Sequence, residues 1–285
     1  MVERKTIRPV TLRRVIEICS LATKTKKVNV TITCQKLGVS PSRAREIILE
    51  VEKMGLLKNI DDADIANDRT IKFLEHFETE QWDKTHEYFL ANYQFYQDFI
   101  RILEDHINED KGLSMNEIKE ESAKLKLGLN QTAVEVLANW CERLGVIQRH
   151  LYTKRLYSIE NETVNSNSFK IGLVRCYHEL SLSRWRKGSF VEIPKLRETM
   201  CEQLKVPRRV FDEMLRAAYL ENVGKIELSG APITTLAKKS PLSEKKMKLE
   251  GKAVILSPKF EVKREREGLT VGRKSYYYLA IHEDI

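Results

Sequence analysis

Apolar residues recur at a helical spacing in residues 37–57, LGVSPSRAREIILEVEKMGLL. They occupy one face of a 3.6-residue helix, and they are Ala44, Ile47, Ile48, Val51 and Met54. Ser40 can cap the first turn, and Pro41 suits the first helical position because the N–H that it lacks has no partner there. Gly55 can take the left-handed conformation that ends a helix. The pattern predicts a tight turn followed by a long helix.

The same pattern returns 90 residues later (127 − 37 = 90), in residues 127–147. Asn130 stands where Ser40 caps the first copy, and Gly145 stands where Gly55 ends it. The second apolar face consists of Val134, Leu137, Ala138, Cys141 and Leu144. A third, more divergent copy opens at Pro207, and its apolar face consists of Phe211, Met214, Leu215 and Ala218. A pattern repeated in this way predicts one structural unit used three times.

Strand-forming residues follow the second and third long helices. Residues 146–159, VIQRHLYTKRLYSI, predict two strands around a tight turn at Thr153 and Lys154. After the first copy, KNIDDADIANDR is acidic and poor in strand formers, which predicts a reduced or absent hairpin.

The hairpin predicted for the third copy is long. Lys225 to Leu228 predicts the outgoing strand, and SYYYLAI, from Ser275, predicts the return strand. Residues 230–274 between them are a lysine-rich excursion, in which AVILSPKFEV has the composition of a further strand or of a mobile arm.

A separate apolar stripe runs through residues 80–107, EQWDKTHEYFLANYQFYQDFIRILEDHI. Its members recur at spacings of three, four and seven residues, and they are Trp82, Phe89, Tyr93, Tyr96, Ile100 and Leu103. A coiled coil needs such a seam, which predicts one long linking helix that forms a homodimer through these residues. The alternative is that the stripe packs on the chain's own neighbouring segments.

The helix-turn-helix that contains LGVSPSRAREIILEVEKMGLL and its two echoes resembles the winged helix-turn-helix superfamily, whose units consist of three helices followed by a hairpin. The predicted fold is therefore mainly α, of the α+β type, with tandem winged helix-turn-helix units and a long linking helix. The predicted segments are a first unit in 1–60, a linking helical segment in 61–94, a second unit in 95–160 and a third unit in 168–285.

Charge is distributed unevenly along the 285 residues. Counting Lys and Arg against Asp and Glu, the net charge of +8 divides into +8 for residues 1–60, −8 for 61–183 and +8 for 184–285. Basic segments concentrate polyanions and acidic segments repel them. The two ends are thus predicted to contact nucleic acid, and the acidic middle to serve in dimerisation or partner binding.

In helix-turn-helix proteins the N-terminal residues of the second helix of the motif enter the DNA major groove. The resemblance implies contacts by Ser40, Ser42, Arg43 and Arg45 in the first copy and by Lys205, Arg208 and Arg209 in the third. It also implies contacts by basic hairpin residues, which are Lys154, Arg155, Lys238, Lys239, Arg264, Arg266, Arg273 and Lys274. The second copy offers the uncharged Gln131 and Thr132 with Glu135 behind them, which suits phosphate poorly.

The sequence carries none of the common catalytic or cofactor motifs, such as GxxxxGK[ST], GxGxxG, HExxH or CxxC. Its five cysteines are odd in number and scattered, which is typical of reduced thiols in a cytoplasmic protein. No run of about 18 apolar residues occurs, and MVERKTIRPV lacks the apolar core of a signal peptide. We therefore expect no enzymatic activity, no cofactor or metal, no membrane span and a cytoplasmic location.

Together these features predict a duplex DNA-binding protein, either a transcriptional regulator or a replication or plasmid-maintenance factor. The competing class is a protein-protein assembly module that is built of winged helices and does not bind DNA directly. One continuous face that holds Arg43, Arg45, Arg208, Arg209 and the long wing would favour the first class, and an exposed apolar linking stripe would favour the second.

Overall fold

A computed structural model describes residues 7, 8, 10–60, 63–160, 163–181, 189–230, 246–249, 252–255 and 268–283. Within these ranges the chain is mainly helical with small antiparallel sheets, which confirms the predicted class at that level. The helices are α1 (Leu12–Thr25), α2 (Val30–Leu37), α3 (Pro41–Lys53), α4 (Asp68–Glu78), α5 (Trp82–Asn92), α6 (Gln94–Asp105), α7 (Met115–Lys124), α8 (Gln131–Leu144), α9 (Ser166–Ser181), α10 (Ile193–Leu204) and α11 (Arg208–Glu221). The strands are β1 (Leu57–Ile60), β2 (Ala63–Ala66), β3 (Ile147–Arg149), β4 (Leu156–Ser158), β5 (Val191–Glu192), β6 (Ile226–Gly230), β7 (Lys246–Leu249), β8 (Lys252–Ile255), β9 (Leu269–Val271) and β10 (Lys274–Ile281).

The chain forms two compact units. Unit 1 holds the described parts of Met1–His106, Leu113–Ile147 and Glu244–Pro258, and unit 2 holds those of Ile107–Gly112, Gln148–Ser243 and Lys259–Ile285. The contacts therefore group the chain differently from the four predicted segments. Unit 1 joins the first copy and the linking segment to the helices of the second copy, and unit 2 joins most of the β3–β4 hairpin to the third copy.

The first copy in unit 1 has the predicted turn and long helix. Gly38 adopts the left-handed conformation (φ 62°) after α2, and the Ser40 side chain accepts a bond of 3.3 Å from the Arg43 N–H. All five predicted apolar residues are buried; four lie in α3, and the fifth, Met54, is its C-terminal cap. A burial pattern that follows the 3.6-residue period fixes which face of α3 remains outside.

A small two-stranded sheet, extended by one bridging residue, completes the first copy. Strands β1 and β2 pair antiparallel, and Val28 exchanges two backbone hydrogen bonds of 2.8 Å with Asp64 of β2. Strand β2 thus lies between β1 and the extended residue that precedes α2. The sequence predicts a reduced or absent hairpin here, and the structure has a short one of two four-residue strands.

The prediction of one long linking helix is wrong. The helix breaks at Tyr93, whose backbone is extended (φ −130°, ψ 100°), so that α5 and α6 are separate helices. Both helices then reach α8, and the Trp140 ring lies 5.3 Å from Phe89 and 5.9 Å from Tyr93, centroid to centroid.

The stripe predicted to form a dimer is part of the core of unit 1. All six of its side chains, Trp82, Phe89, Tyr93, Tyr96, Ile100 and Leu103, are at most 9% exposed. A second chain cannot reach them while unit 1 is folded, so the dimer seam is corrected to an internal core. The alternative considered for the stripe, packing within the chain, describes these contacts.

The second long helix, α8, also forms as predicted. Asn130 caps it by accepting a bond of 2.9 Å from the Ala133 N–H, and Gly145 ends it in the left-handed conformation (φ 77°). Its predicted apolar face is buried. The β3–β4 hairpin follows in sequence, with Lys154 in a left-handed conformation (φ 62°) in the predicted turn.

Unit 2 is built around α9, α10, α11 and a sheet in the order β5, β10, β6, with β9 also paired to β10. Leu279 of β10 lies opposite both Val191 and Leu228, which confirms the predicted outgoing and return strands. The sheet face that carries Leu279 packs on a core that includes Phe169, Leu173, Leu196, Met200, Phe211 and Leu215. Strands β7 and β8 pair within the excursion, and β8 overlaps the start of AVILSPKFEV.

Candidate functional site

The helix–turn–helix of α2 and α3 presents a polar, basic face to solvent. Ser40, Ser42 and Arg45 are exposed at the start of α3, as predicted. Arg43 is half-buried and pairs with Glu46 at 3.0 Å, so its charge is largely balanced within the helix. Glu46 also lies 3.4 Å from Arg8. Among the four predicted residues of the first copy, Arg45 therefore offers the most accessible cation.

A buried carboxylate fixes the position of α3. Glu50 is fully buried; its Oε1 accepts the Tyr93 O–H bond, and its Oε2 accepts a bond of 3.2 Å from the Arg8 N–H. Lys53 Nζ lies 3.7 Å from the same carboxylate. Burial, together with the Glu50 charge, raises the pKa of Tyr93 far above its usual value, which keeps the phenol protonated as the donor. The outer face of α3 is therefore held rigidly.

Exposed charge around α3 is of one sign. In residues 23–60, which the structure describes throughout, the exposed charged residues are Lys24, Lys26, Lys27, Lys36, Arg45, Lys53 and Lys58. The acidic residues of the same range are Glu46, Glu50 and Glu52, and all of them are partly or fully buried. A surface with this distribution attracts polyanions.

A carboxyl pair joins α3 to the hairpin. Asp64 of β2 is buried and accepts a bond of 3.1 Å from Asn59 Nδ2, and Glu52 is hydrogen-bonded to the Asp64 side chain. Such a bond needs a proton between the two carboxyl groups. Burial and the neighbouring Asp64 raise the pKa of Glu52 to about 7.

Replacing Glu52 by Gln is expected to stabilise the protein at pH 8 and to leave it nearly unchanged at pH 4. Because folding strengthens proton binding by Glu52, the free energy of unfolding falls as pH rises from about 4.5 to about 7. Solvent screening of this half-buried side chain limits the gain to about 1 kcal/mol. Urea unfolding of both proteins at the two pH values measures it, with the exposed Glu75→Gln as control. An equal gain at both pH values would contradict the shared proton.

Two residues predicted to contact DNA in the third copy are buried instead. Arg208 is 8% exposed, and its guanidinium pairs with both oxygens of Glu198, at 2.5 Å from Nε and 2.8 Å from Nη2. Lys205 is 6% exposed, and its Nζ donates a bond of 2.8 Å to the Glu109 carbonyl. Burial lowers the pKa of Lys205. The prediction for both residues is wrong, because other segments of unit 2 cover the start of α11.

The β3–β4 hairpin supplies much of that cover. The Arg149 carbonyl accepts a bond of 2.7 Å from Arg208, and the Leu151 N–H donates a bond of 2.7 Å to Glu198. His150 Nδ1 accepts bonds from the N–H groups of Tyr152 and Thr153. Burial lowers the pKa of His150, although Glu202, 3.9 Å away, acts in the opposite direction. The neutral imidazole therefore stabilises the hairpin turn by accepting these two hydrogen bonds.

The remaining predicted residues have different surroundings. Arg155 donates a bond of 3.0 Å to the Gly112 carbonyl, so it supports the fold of unit 2, whereas Lys154 is exposed in the hairpin turn. Arg209, Arg273 and Lys274 are exposed, as a DNA contact requires. Lys238, Lys239, Arg264 and Arg266 lie outside the described residues.

The structure adds basic residues that the sequence reasoning missed. Around α3 these are Lys24, Lys26, Lys27, Lys36 and Lys58, and in unit 2 the addition is Arg216. The charge balance of residues 1–60 was a signal for the lysines. Nothing local marks Arg216, because its place beside β9 depends on a contact 54 residues away in sequence, a bond of 3.1 Å from its Nε to the Thr270 carbonyl.

Comparison of the chain with protein-family models and with curated proteins found no match. Across the described residues, no group of three or more His, Cys, Asp or Glu side chains is arranged to hold a metal ion. None of the helices in those ranges combines the length and apolar character needed to cross a bilayer.

Proposed function

We propose that the chain is built of winged helix-turn-helix units and binds duplex DNA without catalysing a reaction. The fold part of the proposal is supported by strand order. In the first copy β2 lies between Val28 and β1, and in unit 2 β10 lies between β5 and β6. In both cases the return strand is central and pairs with an extended residue or strand that precedes the second helix.

The single observation that carries the DNA proposal is the exposed charge of residues 23–60. Cations are exposed on α1, α2, α3 and β1, and the carboxylates of this range are turned into ion pairs or buried hydrogen bonds. Duplex DNA carries one phosphate charge per about 1.7 Å of axis, so such a surface gains affinity by displacing counterions. The first turn of α3 holds no acidic residue, and the N-terminal end of the helix dipole adds positive potential.

In this proposal α3 reads base edges and its surroundings bind phosphate. Arg45 is suited to guanine, because its guanidinium matches the O6 and N7 acceptors, and Ser42 is suited to a base edge or a phosphate. Lys36, in the last turn of α2, and Lys58, on β1, flank α3 in sequence and are exposed. They serve as phosphate contacts. The biological role would be that of a transcriptional regulator or a replication or plasmid-maintenance factor.

The double variant Lys36→Ala/Arg45→Ala is expected to weaken duplex binding about tenfold and to lower the slope of log K against log salt by about 1. The change in slope comes from Lys36, because the loss of one phosphate contact means that about one counterion fewer is released on binding. Fluorescence anisotropy with a labelled random-sequence duplex, from about 50 to about 200 mM NaCl, measures both quantities.

The matched control is Lys72→Ala/Lys84→Ala, which removes two exposed charges from α4 and α5 of the same unit. It should change affinity by less than about twofold, since these helices lie outside the 23–60 surface. Equal losses in the two double variants would mean that only net charge matters. No binding by the wild-type protein at low salt would refute DNA binding altogether.

A further inference from the structure

A second basic surface lies on unit 2, on the side of α11 that faces solvent. Arg209 and Arg216 are seven residues apart on this helix (216 − 209 = 7), so they share a face and are separated by about 10 Å along the axis. Arg209 is exposed and Arg216 half-buried. The buried side of α11 carries Phe211, Leu215 and Ala218, which fixes the outward direction of the two arginines.

The β9–β10 turn extends this surface. Arg216 Nε donates a bond of 3.1 Å to the Thr270 carbonyl, and Thr270 lies opposite Ser275, with 3.4 Å between their hydroxyl oxygens. Arg273 and Lys274 are exposed in and beside the turn that joins the two strands. We call the combined surface the α11 outer face, and it consists of Arg209, Glu213, Arg216, Thr270, Arg273 and Ser275.

The side of the first turn of α11 that carries Arg208 is closed to a ligand. Arg208 is held by Glu198 and by the Arg149 carbonyl, so the chain itself covers that side, whereas Arg209 on the other side is exposed. A helix reads bases in the major groove with residues at its N-terminal end. The α11 outer face is therefore placed to contact a nucleic acid along the side of the helix, where the sugar–phosphate backbone and not the base edges would meet it.

We propose that the α11 outer face binds the phosphate backbone of duplex DNA independently of base sequence. This inference rests on the proposed DNA-binding function and assigns unit 2 a role different from that of α3. Guanidinium groups bind phosphate oxygens through paired N–H donors, and Ser and Thr hydroxyls are frequent phosphate contacts. Three cations, Arg209, Arg216 and Arg273, and the hydroxyls of Thr270 and Ser275 provide this chemistry.

Glu213 opposes phosphate binding and so provides a sensitive test. It is exposed and lies between Arg209 and Arg216, four residues from one and three from the other. The charge of its neighbour Asp212 repels a phosphate less, because Asp212 pairs with Arg197 at 2.7 Å. Removing the Glu213 charge should strengthen phosphate binding at the α11 outer face, whereas a surface without a polyanion ligand would not respond.

The test is duplex binding by anisotropy with two variants and one control. Glu213→Gln should tighten binding about threefold on every duplex sequence tested, and Arg209→Ala/Arg273→Ala should weaken it about tenfold with a salt slope lower by about 2. Glu179→Gln on α9 is the control for the net-charge change, since Glu179 is exposed on another helix of unit 2. Thermal unfolding of each variant verifies that it folds.

The failures are distinguishable. If the wild-type protein binds no duplex, the proposed function and this inference both fall. If the wild type binds and Lys36→Ala/Arg45→Ala weakens it, while Glu213→Gln matches Glu179→Gln, only this inference is overturned. If the loss of affinity in the Arg209→Ala/Arg273→Ala variant differs between duplex sequences, the α11 outer face contacts bases and not the phosphate backbone alone, which contradicts the inference. Binding to phosphatidylserine vesicles that Glu213→Gln strengthens, without any effect on DNA, would assign the surface to a membrane instead.

Discussion

Replacing Arg208 by Ala is expected to destabilise unit 2 by about 3–5 kcal/mol, because it leaves the Glu198 carboxylate buried without its cation. The Glu198 side chain is inaccessible to solvent, and both of its oxygens bond to Arg208. The Arg149 carbonyl would lose a charge-assisted bond as well. From the sequence alone, a loss of DNA binding in this variant would be interpreted as the loss of a DNA contact. The structure attributes the same loss to unfolding of unit 2.

Urea unfolding together with hydrogen exchange of α10 and α11 measures this effect and assigns it to unit 2. The adjacent Arg209→Ala is the matched control, because Arg209 is exposed, and a surface change of this kind shifts stability by less than about 0.5 kcal/mol. The pair Glu198→Leu/Arg208→Met should be less destabilised than Arg208→Ala alone, since it removes both charges together. Similar stabilities for Arg208→Ala and Arg209→Ala would contradict the buried pair.

The parts of the fold that were predictable depend on local chemistry. The apolar face of α3, the Ser40 cap and the left-handed glycine at position 145 all follow from residues within one or two helical turns. The return strand β10 follows from its run of tyrosines and apolar residues. Each of these features is decided before distant segments meet, so a single sequence carries it.

The wrong predictions concern contacts between distant segments. Arg208 opens α11 directly after Pro207, where a recognition helix would contact DNA, and nothing nearby in the sequence shows that Glu198 and the Arg149 carbonyl enclose it. The helix break at Tyr93 involves neither glycine nor proline. It places Tyr93 against Trp140 and Glu50, two partners that are more than 40 residues away in sequence. An exposed cation and a buried one have the same sequence pattern until the tertiary contacts are known.

For the candidate site the same distinction holds. The exposed start of α3 was predictable, because the apolar residues fix the buried face of that helix and leave Ser42 and Arg45 on the other. The α11 outer face was predictable only in part. Arg209 and Arg273 stand out as basic residues, but Arg216 joins them through a bond to Thr270 in a distant strand.

Replacing Phe89 by Ala is expected to destabilise unit 1 by about 3–5 kcal/mol, the usual cost of deleting a buried aromatic ring. Phe89 is fully buried, and its ring lies 5.3 Å from Trp140, 5.4 Å from Tyr96 and 5.5 Å from Phe73. These three partners come from α8, α6 and α4, so the cavity would open where four helices meet. Phe89→Leu keeps most of the volume and should cost markedly less.

The same variant separates an internal core from a dimer seam. If Phe89 lies in the core, its loss lowers the urea midpoint of unit 1, and sedimentation of the remaining folded protein gives the wild-type mass. If the stripe joined two chains, Phe89→Ala would lower the mass before it lowered the stability of the protomer, and the urea midpoint would depend on protein concentration. Glu87→Ala, exposed on the same helix, is the control and should change neither quantity. A urea midpoint of the wild-type protein that rises with protein concentration would show that the aromatic stripe forms a dimer interface, as its spacing predicts, and would contradict the internal core.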